Sequence, residues 1–135
     1  MRDAPFMAKI FVEKSDGVDL IVSSPANRAV TTARFFAEAI GFSSNDIKTD
    51  QAIYLASTQD LLAVLNRIDS RHNKVIIFGH NPGFTYLVQY LTGEYVNMPT
   101  CAIARVDFEA DSWQEIEADS GSLIAFDYPK NHNIA

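Results

Sequence analysis

The chain of 135 residues contains one cysteine, Cys101, and no apolar run long enough to span a membrane. A lone thiol cannot close an internal disulfide, and without a signal peptide or spanning segment the expectation is a cytoplasmic protein with no membrane partner. Its three histidines, His72, His80 and His132, are scattered. No His-x3-His or Cys-x2-Cys spacing occurs, so neither a metal site nor a cofactor is expected. Eleven basic residues stand against seventeen acidic ones, a formal charge of −6, and the basic residues form no run. Nonspecific nucleic-acid binding needs clustered Lys and Arg, which excludes nucleic acid as a partner class. Several catalytic devices are missing as well. No Lys-Ser or Lys-Thr follows Gly79 to Gly83, so there is no Walker phosphate loop. There is no Gly-x-Ser-x-Gly elbow, and Cys101 and Arg105 lie too close for the Cys-x5-Arg loop of thiol phosphatases.

What is present is a globular pattern. Hydrophobic residues make up 47% of the chain, enough for one domain with a real core, and neither an internal repeat nor a low-complexity tract occurs. Apolar spacing alternates between helical and strand-like. Helices are predicted over Asp3 to Lys14, Pro25 to Ile40, Thr58 to Ile68 and the stretch after Pro82 that Gly93 closes. Strands are predicted over Asp19 to Val22, near Ile47 to Thr49, and over Lys74 to Phe78, Ala102 to Phe108, Trp113 to Ile116 and Leu123 to Tyr128. Ser120-Gly121-Ser122 reads as the turn between the last two. The order implies a three-layer α/β domain with antiparallel additions at its C-terminal side.

Two junctions in this pattern stand out. Gly79-His80-Asn81-Pro82-Gly83 follows the apolar run Val75 to Phe78, and Ser23-Ser24-Pro25 follows Asp19 to Val22 and leads to Arg28. In each, Ser24 or Asn81 is expected as helix N-cap and Pro25 or Pro82 at the first helical position. Free first-turn amides and the positive helix end favour a phosphate or carboxylate there. Parallel strands gather such junctions at their carboxyl ends, so Arg28 and His80 are expected to share a pocket. Plainer readings exist for each residue alone. An arginine in a first turn is usually solvated, and a histidine before a cap is often only structural. Thr31 and Thr32 read as helix packing, Cys101 as a small core residue, and Phe108, Trp113, Phe126 and Tyr128 as core and edge packing.

The string Ser23-Ser24-Pro25-Ala26-Asn27-Arg28-Ala29, with Thr31-Thr32-Ala33, resembles the Ser-Ser-Pro-x-x-Arg-Ala-x-x-Thr-Ala block of the histidine phosphatase superfamily, the phosphoglycerate mutase-like proteins. Gly79-His80-Asn81-Pro82-Gly83 resembles its Gly-His block. The Asn-Pro-Gly ending, Tyr54-Leu55-Ala56, Met98-Pro99-Thr100 and Phe126-Asp127-Tyr128-Pro129-Lys130 are similar to the phosphohistidine phosphatase branch. The resemblance covers nearly the whole chain and implies a single domain, 1–135. Its fold would be an α/β/α sandwich with a mostly parallel sheet and antiparallel C-terminal strands. The implied activity is hydrolysis of phosphohistidine or a phosphoric monoester through a covalent phosphohistidine, with a phosphorylated protein or small-molecule phosphate as partner. Arg28 would be the second phosphate-clamping arginine, and His80 the second histidine, helping to hold the transition state; Asn81 completes the substrate-binding set. Asp50 lies where many relatives carry a proton donor, yet the phosphohistidine branch tends to lack one, and no role is assigned to it.

The sequence departs from the family at one point. The nucleophilic histidine comes from Arg-His-Gly or Arg-His-Ala at the end of the family's first strand, and that motif is absent. The one Arg-His, Arg71-His72, leads to Asn73 in a polar loop. Met1 to Ala8 resembles the family's first helix, normally downstream of the nucleophile. The expectation is therefore an N-terminally truncated domain whose first strand is missing and which is inactive by itself. The competing expectation is a noncatalytic phosphate-binding or protein-interaction module, a pseudophosphatase. A different α/β hydrolase with His80 as general base is disfavoured, because no nucleophile sits at a matching junction. Since the missing strand is central in relatives, two neighbouring strands would be left with unpaired backbone groups unless the sheet closes up or something fills it.

Overall fold

The computed structural model describes residues 3–14 and 17–132, so Met1 and Arg2 of the opening string lie outside the described residues. Helix α1 spans Asp3–Lys14 and buries Ala4, Met7 and Ala8. Strand β1 spans Leu20–Ser23 and α2 spans Asn27–Ile40, closed by Gly41 in the left-handed conformation at φ 76°. The short strand β2 spans Lys48–Thr49. Helix α3 covers Thr58–Asn66 and opens with a reciprocal capping box between Ser57 and Asp60. Strand β3 spans Val75–Phe78 and α4 spans Gly83–Thr92, with Gly93 as its left-handed stop.

These three strands form a parallel sheet in the order β2-β1-β3, with Leu20 opposite Val75 and Ser23 opposite Phe78. The Asp19 carboxylate holds the lower end of the β1–β3 pair by accepting the amides of Asn73 and Lys74 at 2.9 and 3.2 Å. Strand periodicity sends alternate side chains to opposite faces. Ile21 and Ile76 pack with Ala33 and Ala37 of α2, and Phe78 joins Phe36, Met7 and Ala8 of the α1–α2 cluster. Val22, Val75 and Ile77 pack on the other side with Leu61, Val64 and Leu65 of α3 and Leu87 and Leu91 of α4. Fully burying a large aliphatic side chain such as Ile21 or Leu61 is worth about 1.5–3 kcal/mol, and the half-buried Val75, Ile76 and Ile77 contribute less. The sheet is thus held from both faces, giving the three layers that the spacing implies.

Strands β4, Ile103–Phe108, and β5, Gly121–Asp127, form a separate antiparallel pair with an irregularity between Arg105 and Val106. Gly121 has to be glycine, since a Cβ there would lie 2.6 Å from Val106 and 2.7 Å from the Phe108 ring. Phe78 at the end of β3 and Ile103 at the start of β4 pack against the same α1–α2 cluster. The two sheets therefore lie under one helical layer, and among the described residues no backbone hydrogen bond joins them, so the sheet has not closed up. The C-terminal end is tied down by His132, whose Nε2 meets both oxygens of Asp127 at 2.8 and 2.7 Å. Burial raises the Asp127 pKa, but hydrogen bonds from His132, Asn131 and the Tyr128 amide outweigh it and hold the carboxyl below its ordinary value.

Two sequence expectations are corrected here. Trp113 to Ile116 is not a strand: Trp113–Glu115 forms a 3-10 turn, because the Glu115 carboxylate accepts the Ser112 amide at 3.1 Å, the Glu115 amide donates to the Ser112 carbonyl at 3.2 Å, and the Trp113 indole donates to the His72 carbonyl at 2.7 Å. Ser120-Gly121-Ser122 is not a free turn either, since pairing of Gly121 with Phe108 draws it into β5. Elsewhere the elements occur as read, with ends shifted by a residue or two: β1 starts at Leu20 and α3 stops at Asn66.

Candidate functional site

Because β1 and β3 are parallel neighbours in register, the residues that follow them leave the sheet side by side. The amide of Ser24 still belongs to the ladder, donating to the Phe78 carbonyl at 2.9 Å. One step further, His80 Nε2 lies 2.8 Å from Ser24 Oγ, and the Ala26 amide donates to the same oxygen at 3.3 Å. Ser24 is fully buried. The Tyr54 ring stands edge-on to the imidazole, with centroids 5.6 Å apart and an interplanar angle of 88°. His80 is thus fixed on two sides, while its Nδ1 has no hydrogen-bond partner among the described residues. Gly79 makes this approach possible: a Cβ there would lie 2.7 Å from the Phe84 ring and 2.8 Å from Ile53.

The helix starts differ from expectation. Ser24 is not the N-cap of α2, which begins at Asn27 with Ala26 in the cap position and no side-chain cap. Its hydroxyl is spent on His80 and the Ala26 amide, and its own amide is still in the sheet, so the helix opens later. Pro25 correspondingly lies before the helix rather than at its first position. Asn81 is not a cap for α4, because its side-chain amide donates to the Met98 carbonyl. Pro82, joined to Asn81 by a cis bond, takes the cap position itself. Arg28 is therefore the second helical residue, still within the first turn. The amides of Asn27, Arg28 and Ala29 precede the first helical bond, from Val30 to Ala26 at 3.0 Å, and among the described residues they have no acceptor, which leaves them open to an anion. Arg28 is exposed, and its guanidinium has no hydrogen-bond or ion-pair partner among the described residues.

The other candidates separate clearly. Asp50 sits at the same sheet end, its amide on the Ser23 carbonyl, but its carboxylate is occupied: Arg67 reaches one oxygen at 2.7 Å and the Ala52 amide the other at 2.9 Å. Thr32 hydroxyl bonds the Arg28 carbonyl within the helix, and Thr31 is exposed. Cys101 is half-buried, and burial together with the nearby Asp3 charge pushes its thiol up, which disfavours the reactive thiolate. Arg71 and His72 precede β3 and so stand at the end of the sheet remote from His80. Among the described residues no cluster of three metal-ligating side chains occurs, and no helix is long and apolar enough to cross a membrane.

Two neighbours of His80 were not visible as such in the sequence. Ser24 read as a helix cap and Tyr54 only as part of a resemblance. The parallel pairing of β1 with β3 was the signal that could have joined Ser24 to His80. Beside the imidazole lies an apolar cleft of 310 Å³ lined by Ile53, Leu55, Leu61, His80, Phe84 and Tyr86, among others. A larger recess of 500 Å³ around Glu109, Asp111, Glu115 and Glu117 has the wrong charge for a phosphate, and the Glu115 carboxylate there accepts the amides of Asp111 and Ser112.

Comparison with solved structures places this geometry in a known architecture. The protein histidine phosphatase SixA complexed with tungstate matches with a TM-score of 0.80 and 21% identity, over 96% of this chain and 81% of that one. A structure from Agrobacterium tumefaciens described as a SixA phosphohistidine phosphatase matches with a TM-score of 0.75 and 24% identity, over 94% and 78% of the two chains. This is the SixA fold. The SixA-like architecture, phosphoglycerate mutase-like in its mostly parallel sheet with antiparallel strands, extends to a mycobacterial glucosyl-3-phosphoglycerate phosphatase complexed with VO3, with a TM-score of 0.64 and 15% identity over 93% of this chain and 83% of that one. No family model and no curated protein matches the chain.

Proposed function

We propose that this SixA-like domain is a phosphatase of the histidine phosphatase superfamily, acting on phosphohistidine in proteins or on a small phosphoester. The observation that carries the reading is the 2.8 Å contact between His80 and Ser24, which ties the Gly-His junction to the loop that presents Arg28. In this reading the Arg28 fork binds nonbridging phosphoryl oxygens, the open amides at the start of α2 add donors, and His80 donates to the same oxygens as charge shifts in the transition state. Asn81 contributes its backbone amide, since its side chain is committed to Met98. Tungstate in SixA and VO3 in the mycobacterial phosphatase support an oxyanion as the ligand of this fold.

The reaction needs a nucleophile that forms a P–N bond as the substrate's P–N or P–O bond breaks, and water then cleaves the enzyme's own phosphohistidine. Neither His72 nor His132 stands at the carboxyl ends of the parallel strands, so the reading assigns that nucleophile to a strand N-terminal to Met1, with residues 1–135 alone inactive. The split between β3 and β4 supports it, because each is left with strand edge that no described residue pairs. Vanadate titration tests the site: binding should be saturable and fall sharply in Arg28→Ala and in His80→Ala, and equal affinity in all three proteins refutes it. Phosphodonor incubation should leave no acid-labile phosphate on residues 1–135, whereas a chain extended through an upstream Arg-His strand should acquire it. A pseudophosphatase would bind vanadate in the same way and stay unphosphorylated even when extended.

A further inference from the structure

We propose that Leu55 and Tyr86 form the leaving-group face of this site and select phosphoryl compounds whose leaving group is a flat ring, an imidazole or aryl group, over polyol phosphates. The inference rests on the reading of His80 and Arg28 as the phosphoryl-binding pair and adds to it the substrate's other end. The first observation is the cleft of 310 Å³ that opens beside His80 and is lined chiefly by apolar groups. Its volume is at the lower end of that of small-molecule sites, which suits one ring rather than an extended chain. The second is exposure. Leu55 and Tyr86 leave 79% and 51% of their surface in solvent although both line the cleft, and Tyr54, edge-on to His80, leaves 46%. Large apolar side chains clustered at the mouth of a polar site mark a binding surface more often than scattered exposure does.

The third is backbone conformation. Leu55 has φ 52°, a region that leucine rarely adopts, and the turn that imposes it projects the side chain outward at the cleft. A sugar hydroxyl set against this wall would lose water without gaining a partner, whereas a ring would keep its apolar faces covered. Two polar side chains on the cleft wall are already engaged, Ser57 in the cap of α3 with Asp60 and the Asn81 side-chain amide on the Met98 carbonyl, which leaves His80 at the phosphoryl end and Thr58 as the polar groups a ligand would meet besides the Tyr86 hydroxyl.

The test uses residues 1–135 with three probes, inorganic phosphate, phenylphosphonate and glucose 6-phosphate, titrated by calorimetry or amide shifts. Phenylphosphonate should bind about tenfold tighter than phosphate through burial of its ring, and glucose 6-phosphate no tighter than phosphate. Leu55→Asn, which suits the left-handed backbone, and Tyr86→Gln should each erase most of the phenyl advantage while leaving phosphate affinity unchanged. Phosphate binding with no phenyl advantage, or an advantage that survives both substitutions, overturns the inference and leaves the phosphate site standing. Failure of phosphate itself to bind overturns the phosphate site and the inference with it.

Discussion

The two strand-to-helix junctions look alike in sequence and behave differently in the fold. At the second, His80 is held by Ser24 on one side and faced by Tyr54 on the other, and Gly79 is hemmed in by Phe84 and Ile53. At the first, Arg28 stands exposed on the opening turn of α2, its guanidinium without a hydrogen-bond or ion-pair partner among the described residues. One junction offers a fixed imidazole, the other a long arm that can adjust. In the proposed reaction a phosphoryl group would change shape as it transfers, and a rigid donor paired with a compliant clamp would divide the work between position and accommodation.

The comparison can be broken hardest at its rigid half. Gly79→Val would drive a branched side chain into Phe84 and Ile53, and chemical denaturation should show a loss of about 3 kcal/mol. A loss under about 0.5 kcal/mol would mean that the junction yields and is not rigid. Next in size, Arg28→Ala should weaken vanadate binding by about 2 kcal/mol, roughly thirtyfold, with an unchanged melting temperature. A drop in melting temperature would show that Arg28 has a structural partner after all. Ser24→Ala should cost about 1 kcal/mol of stability by leaving His80 Nε2 unmatched, and it should couple with His80→Ala in a double-mutant cycle. Independent effects would dissolve the link between the junctions. Smallest of all, Arg67→Ala should change stability by no more than about 0.5 kcal/mol, because its pair with Asp50 is on the surface, as thermal melts can check.

Much of this fold could be read from spacing alone. The stripe Ala29, Ala33, Phe36, Ala37 is buried as its helical period demands, and Gly41 and Gly93 end their helices in the left-handed conformation. Trp113 misled because one indole N–H bonded to a carbonyl in the distant His72 loop decides the local shape, and strand propensity carries no word of it. The caps misled for a related reason. Ser24 and Asn81 are good cap residues, but tertiary partners, His80 and the Met98 carbonyl, claim their side chains first. The placement of His80 beside the first junction was legible because parallel pairing forces it; the ring-on-ring contact with Tyr54 was not, since residues 50–56 form only a two-step turn with no periodic signal.

Asp19, far below the pocket, has a consequence that reaches the top of the sheet. By gripping the amides of Asn73 and Lys74 it sets the zero mark from which both strands are measured. Four strand residues later, about 13 Å away, that mark determines the height at which the imidazole arrives. An offset of one position would carry it about 3.3 Å past its serine and turn every side chain of the strand to the wrong face. A carboxylate at the foot of the sheet is in this sense the gauge for an imidazole at its head.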